Sequence, residues 1–386
     1  MKFPSEIVYV TNARLPTEKA HGLATVKLAS AFAAAGIPTT VVVPWRWNPI
    51  KDDPYAFYGV PKNFRIVRVP SFDLLWLGFG QRIWFPVQLF SFSLVAAVWL
   101  ALRVHRLRDA VVFSHDHIPL FFASFVAPYI AYDIHSYPVK SFWYARVLRR
   151  ARCIVTQTRA KVAMLQRDFS ISAERIVSWP NGTDVGQFQS TLAADEARAE
   201  LGLPQDKKIV CYTGQLFRWK GVETLLRASR LLPADYLICI VGGDEAAIGA
   251  VRQWAGGDPF DRVRFFGQRP WSEMPIWLRA ADVLVLPNTA KDEESRLHTS
   301  PMKLFEYMAS GRPIVASDLP SIREIVDKTT VALAEPDNAA ALADAIRAGI
   351  EHPQEAAHRA ARAQQAVQRY TWAARAERIL GGLARV

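Results

Sequence analysis

The 386-residue sequence predicts an α/β protein made of two Rossmann-like, doubly wound domains. Three observations predict it. Residues 7–43 read as strand, polar loop, Ala-rich helix, glycine and second strand, a βαβ unit that implies a parallel sheet. The same pattern restarts after a polar, Ala-rich stretch at 190–208. The length exceeds one ordinary domain and suits two.

The elements follow in order. Ile7–Val10 is a β-type run, residues 11–22 a polar loop, and Leu23–Ala35 a helix ended by Gly36. Thr40–Val43 is the second strand, and Phe64–Val69, Ala110–Phe113, Tyr129–Asp133, Cys153–Thr156 and Ile176–Ser178 are later ones. The boundary is placed near residue 190. Beyond it come a strand at Lys208–Thr213, a loop at Gly214–Gly221 and a helix at Val222–Leu232. Strands at Tyr236–Val241, Val263–Phe266, Val283–Leu286, Pro313–Ser317 and Val331–Leu333 complete the second domain, residues 191–367. From Ala339 the chain reads as helical and Ala/Arg-rich to its end.

Hydrophobic residues make up 51% and charged residues 22%, enough to build two cores and too apolar for a disordered chain. Cys153, Cys211 and Cys239 each sit in an apolar run without a partner at metal-ligand spacing, so buried reduced thiols are expected, as suits the cytoplasm. The net charge of +11 is uneven: residues 1–190 hold 22 Lys+Arg against 11 Asp+Glu, and residues 191–386 hold 25 against 25. Only the first domain is therefore expected to meet an anionic surface. No nucleic-acid motif is present, which favours anionic lipid as that surface.

The run 1–6 lacks the apolar core and cleavage site of a signal peptide, so no leader is expected. Ile83–Leu102 is free of charge for twenty residues and is followed by Arg103, Arg106 and Arg108. Pro86, Gln88, Ser91 and Ser93 dilute it, and a span there would split a domain across a bilayer. A buried or interfacial helix is the expectation.

Two segments carry chemistry. Gly214-Gln215-Leu216-Phe217-Arg218-Trp219-Lys220-Gly221 joins a strand to a helix, so its N–H groups and the positive helix end, with Arg218 and Lys220, suit a diphosphate. A second helix is expected within His298–Pro313, capped by Thr299 or Ser300, opened by Pro301 and stopped by Gly311. Lys303 lies in its first turn, where helix polarity does not favour a cation and an anionic ligand would. Glu306 stands about 5–8 Å deeper along the axis, the offset from a diphosphate to a ribose whose hydroxyls a carboxylate can accept.

With these motifs the chain resembles the retaining GT-B glycosyltransferases of the family 4 type, over nearly its whole length. The residues 14–22, Pro180-Asn181-Gly182-Thr183-Asp184 with Phe188, Gly242-Gly243, residues 263–267, Ala281-Asp282-Val283 with Pro287, and Tyr370-Thr371-Trp372 carry the likeness in the right order. The resemblance implies two domains facing across a cleft, the first at residues 1–190, with a C-terminal helix at about 368–386 crossing back to it. It makes His135, Lys220 and Glu306 the catalytic residues. Lys220 and a nearby Arg would bind the donor diphosphate, Glu306 the ribose, and the backbone at Gln268–Pro270 the base. Gly22, Gln215, Arg218, Gln268, Arg269, His298, Thr299, Ser300, Pro301, Met302 and Lys303 would complete the donor side. His135 would stand beside the donor sugar, and Arg14, Lys19, His21, His115 and His117 on the acceptor side.

Two positions depart from the family pattern. Gln215 stands where many members have Arg, with Arg218 the expected substitute, and His298 stands where many have Glu. The implied activity is metal-independent, cofactor-free transfer from a UDP- or GDP-linked sugar to a saccharide or lipid-linked acceptor. The expected location is the inner face of a membrane. A nucleotide-sugar epimerase and a non-catalytic sugar-nucleotide-binding subunit are the rivals. A dinucleotide oxidoreductase is disfavoured because neither first strand is followed by Gly-x-Gly-x-x-Gly.

Overall fold

The computed structural model describes residues 3–103, 108–257 and 260–385; Arg106 and Val386 lie outside them. The chain forms two compact units, one of Met1–Gly182 with Trp372–Val386 and one of Thr183–Thr371.

The first unit holds β1 (Ile7–Val10), β2 (Thr39–Pro44), β3 (Arg65–Val69), β4 (Val111–Ser114), β5 (Tyr129–Ile134), β6 (Ala151–Thr156) and β7 (Ile176–Ser178). They form one sheet in the order β3-β2-β1-β4-β5-β6-β7, with every described pairing parallel. The second unit holds β8 (Lys208–Thr213), β9 (Tyr236–Val241), β10 (Val263–Phe265), β11 (Val283–Leu286), β12 (Ile314–Ser317) and β13 (Ala332–Ala334), in the order β10-β9-β8-β11-β12-β13, again parallel. Each sheet reverses its winding once, between β1 and β4 and between β8 and β11. Helices cover both faces of such sheets, so their central strands are buried on both faces, as β1 and β9 are along their whole length. That is why these strands read as continuous apolar runs rather than alternating ones.

The structure moves several expected boundaries. The units divide at Gly182–Thr183 instead of near 190, because Phe188 is buried in the second unit, its ring 5.8 Å from that of Trp271. The helix returning to the first unit is Trp372–Arg385. Tyr370 stays in the second unit, its ring 5.1 Å from that of Phe305. Ala339 onward is not continuous helix but Ala339–Glu351, Pro353–Ala366 and a 3-10 turn at Val367–Arg369, broken where Pro353 removes an amide donor. The first helix is Ala20–Ala34, so Gly22 lies in its first turn rather than in a loop. The helix after Lys220 stops at Ser229, and the stretch after 190 contains its own helix, Ala194–Glu200.

The Gln81–Ala101 helix lies against the first sheet through Phe92, Ala96 and Leu100, which join β-strand residues in one apolar core. Truncating the fully buried Phe92 to Ala would cost about 3–5 kcal/mol. Among the described residues it is the one helix long and apolar enough to cross a membrane, yet its packed face belongs to the core of this unit.

Candidate functional site

In open parallel sheets, ligands gather at the carboxyl ends of strands where the winding reverses. Both units concentrate polar groups at that point.

In the second unit the loop after β8 closes against the end of β11. A side chain at Gly221 would collide with the Pro287 carbonyl oxygen at 2.0 Å, and its φ is +67°. Only glycine allows this approach. Gly242, after β9, packs as closely on Gly214, where an added Cβ would lie 2.2 Å from the carbonyl oxygen at φ +128°. The loop is thereby held at the switch point.

The Met302–Ser310 helix runs beside it. Tyr307 anchors this helix to the sheet: its hydroxyl accepts from the Thr213 N–H at 2.8 Å, at the end of β8. Neither Thr299 nor Ser300 caps the helix. Pro301 takes the cap position in an extended conformation with no side-chain cap bond, and Gly311 ends the helix at φ +66°. The Thr299 amide donates to the Glu294 carbonyl at 2.9 Å, so it is not available to a ligand. The amides of Met302 and Lys303, in the first turn, are of the kind a helix leaves unpaired.

Lys303 is 8% exposed, and its ammonium lies 3.5 Å from the centre of the Tyr212 ring with no hydrogen-bond acceptor. A side chain at Gly214 would meet this ammonium at 3.0 Å, so Lys303 occupies the space beside the first glycine of the loop. Burial pushes its pKa far below the usual lysine value, and the charge of Lys220 pushes it further. Lys220 lies over the Trp219 ring at 3.7 Å, and burial lowers its pKa to about 7 against a partial offset from Glu294. Two lysines thus lie close enough to repel, with Glu294 and Glu306 offsetting them only in part and no acceptor bonded to Lys303, at a helix start that favours an anion.

Glu306 is 9% exposed and accepts a hydrogen bond from the Trp271 indole at 3.2 Å. Burial raises its pKa, opposed by Trp271 and Lys303. Trp271 follows the exposed Gln268, Arg269 and Pro270, so it links that loop to the Glu306 carboxylate. The Arg269 Nε donates to its own loop at the Phe266 carbonyl, 3.2 Å away.

Three donor-side expectations change. Arg218 is exposed and turns to the Trp254 ring at 5.7 Å, in a pocket with Glu223, Arg227 and Asp292. Lys303, not Arg218, is therefore the cation beside Gly214 and the exposed Gln215. His298 is buried in a π-helical turn, Glu294–His298, and its Nδ1 faces the Glu294 carboxylate at 3.5 Å. A carboxylate does stand here, one turn before the position that the resemblance led us to expect. Gly22 has a packing reason to be glycine: a Cβ would meet Thr17 at 2.3 Å and the Tyr58 hydroxyl at 2.6 Å.

In the first unit His115 follows β4 and His135 follows β5, and their rings stack at 4.8 Å and 11°. His115 Nδ1 lies 3.0 Å from the Tyr9 hydroxyl, and its Nε2 lies 3.3 Å from the Thr11 hydroxyl. Asp116 accepts from the Thr11 hydroxyl at 2.8 Å and the Asn12 amide at 2.7 Å. His21 approaches His115 at 6.2 Å. Burial, aided by His115, lowers the His21 pKa to about 4, and burial lowers that of His115 as well. Both are neutral imidazoles at neutral pH.

His135 Nε2 lies 3.3 Å from Asp133 Oδ2. Asp133 also accepts from the Gln157 amide at 2.8 Å and from Arg375 at 2.9 and 2.8 Å. Burial disfavours its charge, but Arg375 and His135 outweigh that and hold the carboxyl well below the usual range. Lys161 donates to the His135 carbonyl at 2.6 Å and to Gln157 Oε1 at 2.8 Å, closing the end of β5. Of the other expected acceptor-side residues, His117 turns aside and stacks on Tyr144 at 4.1 Å. Arg14 pairs with Glu18 at 3.6 Å, and Lys19 is an exposed helix-start residue. Among the described residues, no group of three His, Cys, Asp or Glu is placed to hold a metal ion.

The sequence reading missed Asp133, Arg375, Lys161, Glu294 and Trp271. Arg375 carried a signal: it lies within the apolar stripe Trp372, Ala376, Ile379 and Leu383 of an amphipathic helix, all buried. A charge in such a stripe needs an internal partner.

Comparison with known proteins bears on the family and the fold. The model of glycosyltransferase family 4 matches residues 23–187, and that of glycosyl transferases group 1 matches residues 207–352. A D-inositol 3-phosphate glycosyltransferase of Xylanimonas cellulosilytica is 27% identical over 237 residues, 59% of this chain and 55% of that protein. A phosphatidyl-myo-inositol mannosyltransferase of Mycolicibacterium smegmatis is 32% identical over 230 residues, 58% of this chain and 55% of that protein. The chain thus spans little more than half the length of these relatives. Sucrose-phosphate synthase from Thermosynechococcus elongatus shares the fold with a TM-score of 0.76 at 22% identity, covering 99% of this chain and 98% of that one. Two parallel sheets in two units, matched one after the other by these two family models, identify the chain as a member of the group 1, family 4 type glycosyltransferases, of GT-B architecture.

Proposed function

We propose that this protein moves a sugar, with retention of anomeric configuration, from a UDP- or GDP-linked donor to a membrane-proximal or lipid-linked glycan acceptor, working from the cytoplasmic face. The observation that carries the donor half is the Lys303 ammonium, buried without an acceptor and set beside Lys220 at the switch point. Burying an unpaired charge is costly, and a diphosphate repays it with charge-assisted hydrogen bonds. Glu306, one turn deeper and held by Trp271, is assigned the ribose hydroxyls.

In the reaction the bond from the anomeric carbon to the diphosphate breaks, and the acceptor oxygen bonds to the same face of that carbon. The acceptor proton leaves with the nucleoside diphosphate. Negative charge grows on the departing phosphate, where Lys220, Lys303 and the first-turn amides of the Met302–Ser310 helix lower the barrier. No metal or cofactor is required by this scheme. His135, oriented by Asp133, is assigned to a hydroxyl of the reacting sugar. The inositol-linked acceptors named for the two relatives support a lipid-linked or polar-alcohol acceptor.

The test is calorimetry with UDP and GDP in excess chelator, followed by rates with a matched donor and acceptor and NMR of the product anomer. One of the two nucleotides should bind, Glu306→Ala and His135→Ala should each lower turnover by about a hundredfold, and the product should keep the donor configuration. Strict dependence on added magnesium or manganese, or an inverted product, would refute the scheme.

A further inference from the structure

The Gln81–Ala101 helix buries one face in the first unit, through Phe92, Ala96 and Leu100. Its opposite face should be polar if water covers it. Instead Ile83, Val87, Phe90, Leu94 and Val98 follow at three- and four-residue steps, with Ile83 66%, Leu94 55% and Val98 51% exposed. No charge occurs between Arg82 and Arg103. At 1.5 Å per residue the stripe runs for about 22 Å. The apolar surface continues at both sides. Phe72, Trp76 and Phe79 are exposed just before the helix, with the Phe72 ring 6.2 Å from that of Trp84. On the other side Phe90 meets Trp143 at 5.7 Å, and Phe121 leads on to the exposed Phe125 and Phe142 at 5.2 and 5.5 Å. A water-soluble surface rarely leaves so long an apolar band uncovered.

Charge identifies the occupant. Residues 81–150 hold eight Lys+Arg (82, 103, 106, 108, 140, 146, 149, 150) against Asp109, Asp116 and Asp133. Asp116 and Asp133 are engaged in the histidine cluster, which leaves the surface strongly basic. The cations sit on the aromatic band itself: Arg103 lies 4.0 Å from the Trp99 ring centre and Arg146 lies 3.5 Å from that of Phe125. An apolar strip bordered by Trp and Phe and flanked by arginines matches the acyl boundary and anionic headgroups of a bilayer. A second copy of this chain would bring the same arginines against each other across a two-fold axis. A spanning helix would pull Phe92, Ala96 and Leu100 out of the core.

We infer that the solvent face of the Gln81–Ala101 helix, with its aromatic and arginine border, is where the first unit seats on an anionic lipid bilayer. The inference rests on the acceptor half of the proposed function and is independent of the donor site. The helix lies in the plane of the headgroups and stays packed on its own sheet.

Flotation tests it, with vesicles of phosphatidylcholine alone and of phosphatidylcholine with phosphatidylglycerol, at low and high salt. The protein should float with the anionic vesicles, less so in high salt, and the double variant Leu94→Glu, Val98→Glu should reduce binding at least about tenfold. Both residues are exposed, so circular dichroism and nucleoside diphosphate affinity should be unchanged in the variant. A second pair, Arg149→Glu and Arg150→Glu, should weaken anionic binding without removing the apolar stripe. Equal binding to neutral vesicles, no binding to anionic ones, retained binding by the Leu94/Val98 variant, or a lipid-free dimer that this variant dissociates would each overturn the inference. None of those outcomes bears on donor affinity, which calorimetry reads separately.

Discussion

The two switch points of this molecule solve opposite electrostatic problems. In the first unit the buried charges are answered from within: Asp133 accepts two bonds from Arg375, one from Gln157 and faces His135, while Lys161 reaches carbonyl oxygens. In the second unit Lys303 finds no acceptor and Lys220 adds to its burden. A satisfied network orders a site whether or not a ligand is present. An unsatisfied one keeps an interaction in reserve for the ligand. The first unit therefore presents imidazoles on a fixed frame, and the second presents positive charge.

The sharpest way to break this comparison is to remove a cation from each side. Arg375→Leu leaves Asp133 buried without its arginine, with only Gln157 and His135 beside it, and should cost the first unit about 3–5 kcal/mol in urea denaturation. An unchanged midpoint would show that the pair is not what holds the frame. Lys303→Met should do the reverse to stability, raising the melting temperature because an uncompensated buried charge is gone. It should also weaken nucleoside diphosphate binding about thirtyfold, or about 2 kcal/mol, measured by calorimetry. A variant that binds normally would end the anion reading of this lysine.

Acidity sharpens the contrast further. Lys220 has its folded pKa lowered to about 7, so above that pH the free protein has lost the proton that a bound diphosphate would hold in place. Affinity should fall by up to about tenfold per pH unit above 7 and level off below it, and Lys220→Met should flatten the profile. The same shift makes the unliganded fold bear the lysine's charge below pH 7, a cost that fades as pH rises from 7 toward the unfolded value. His21 has the same sign in a more acid window: with a folded pKa of about 4, the stability of the fold falls as pH falls from about 6.5 toward 4. The smallest expected effect is at His298. Because it is buried against Glu294, His298→Ala should lower turnover by roughly tenfold or less. A larger loss than that of Glu306→Ala would move the chemistry to this pair.

Much of the architecture was legible because parallel strands buried on both faces leave unbroken apolar runs such as Ile7–Val10 and Tyr236–Val241. Lys303 and Glu306 were legible because their spacing on one helix has a direct meaning in ångströms. Side-chain direction was not. Arg218 and Lys220 are two residues apart in a 3-10 turn, and only the structure shows Arg218 on Trp254 and Lys220 beside Lys303. Asp133 and Arg375 are separated by 242 positions, and no local pattern joins them. The division at Gly182 was missed because Phe188 looks like the end of one domain until its ring is seen against Trp271.

The Thr183 amide donates to the Tyr370 carbonyl at 2.9 Å, so the chain enters and leaves the second unit at one place. The second unit is in that sense an insertion, a loop of 183–371 grown into a complete body between two parts of the first. During synthesis this imposes an order. The ribosome delivers Asp133 long before Arg375, and the whole of the second unit is made in between. The inserted body can finish folding on its own contacts, while the first must wait for the last helix to bring Arg375 to Asp133.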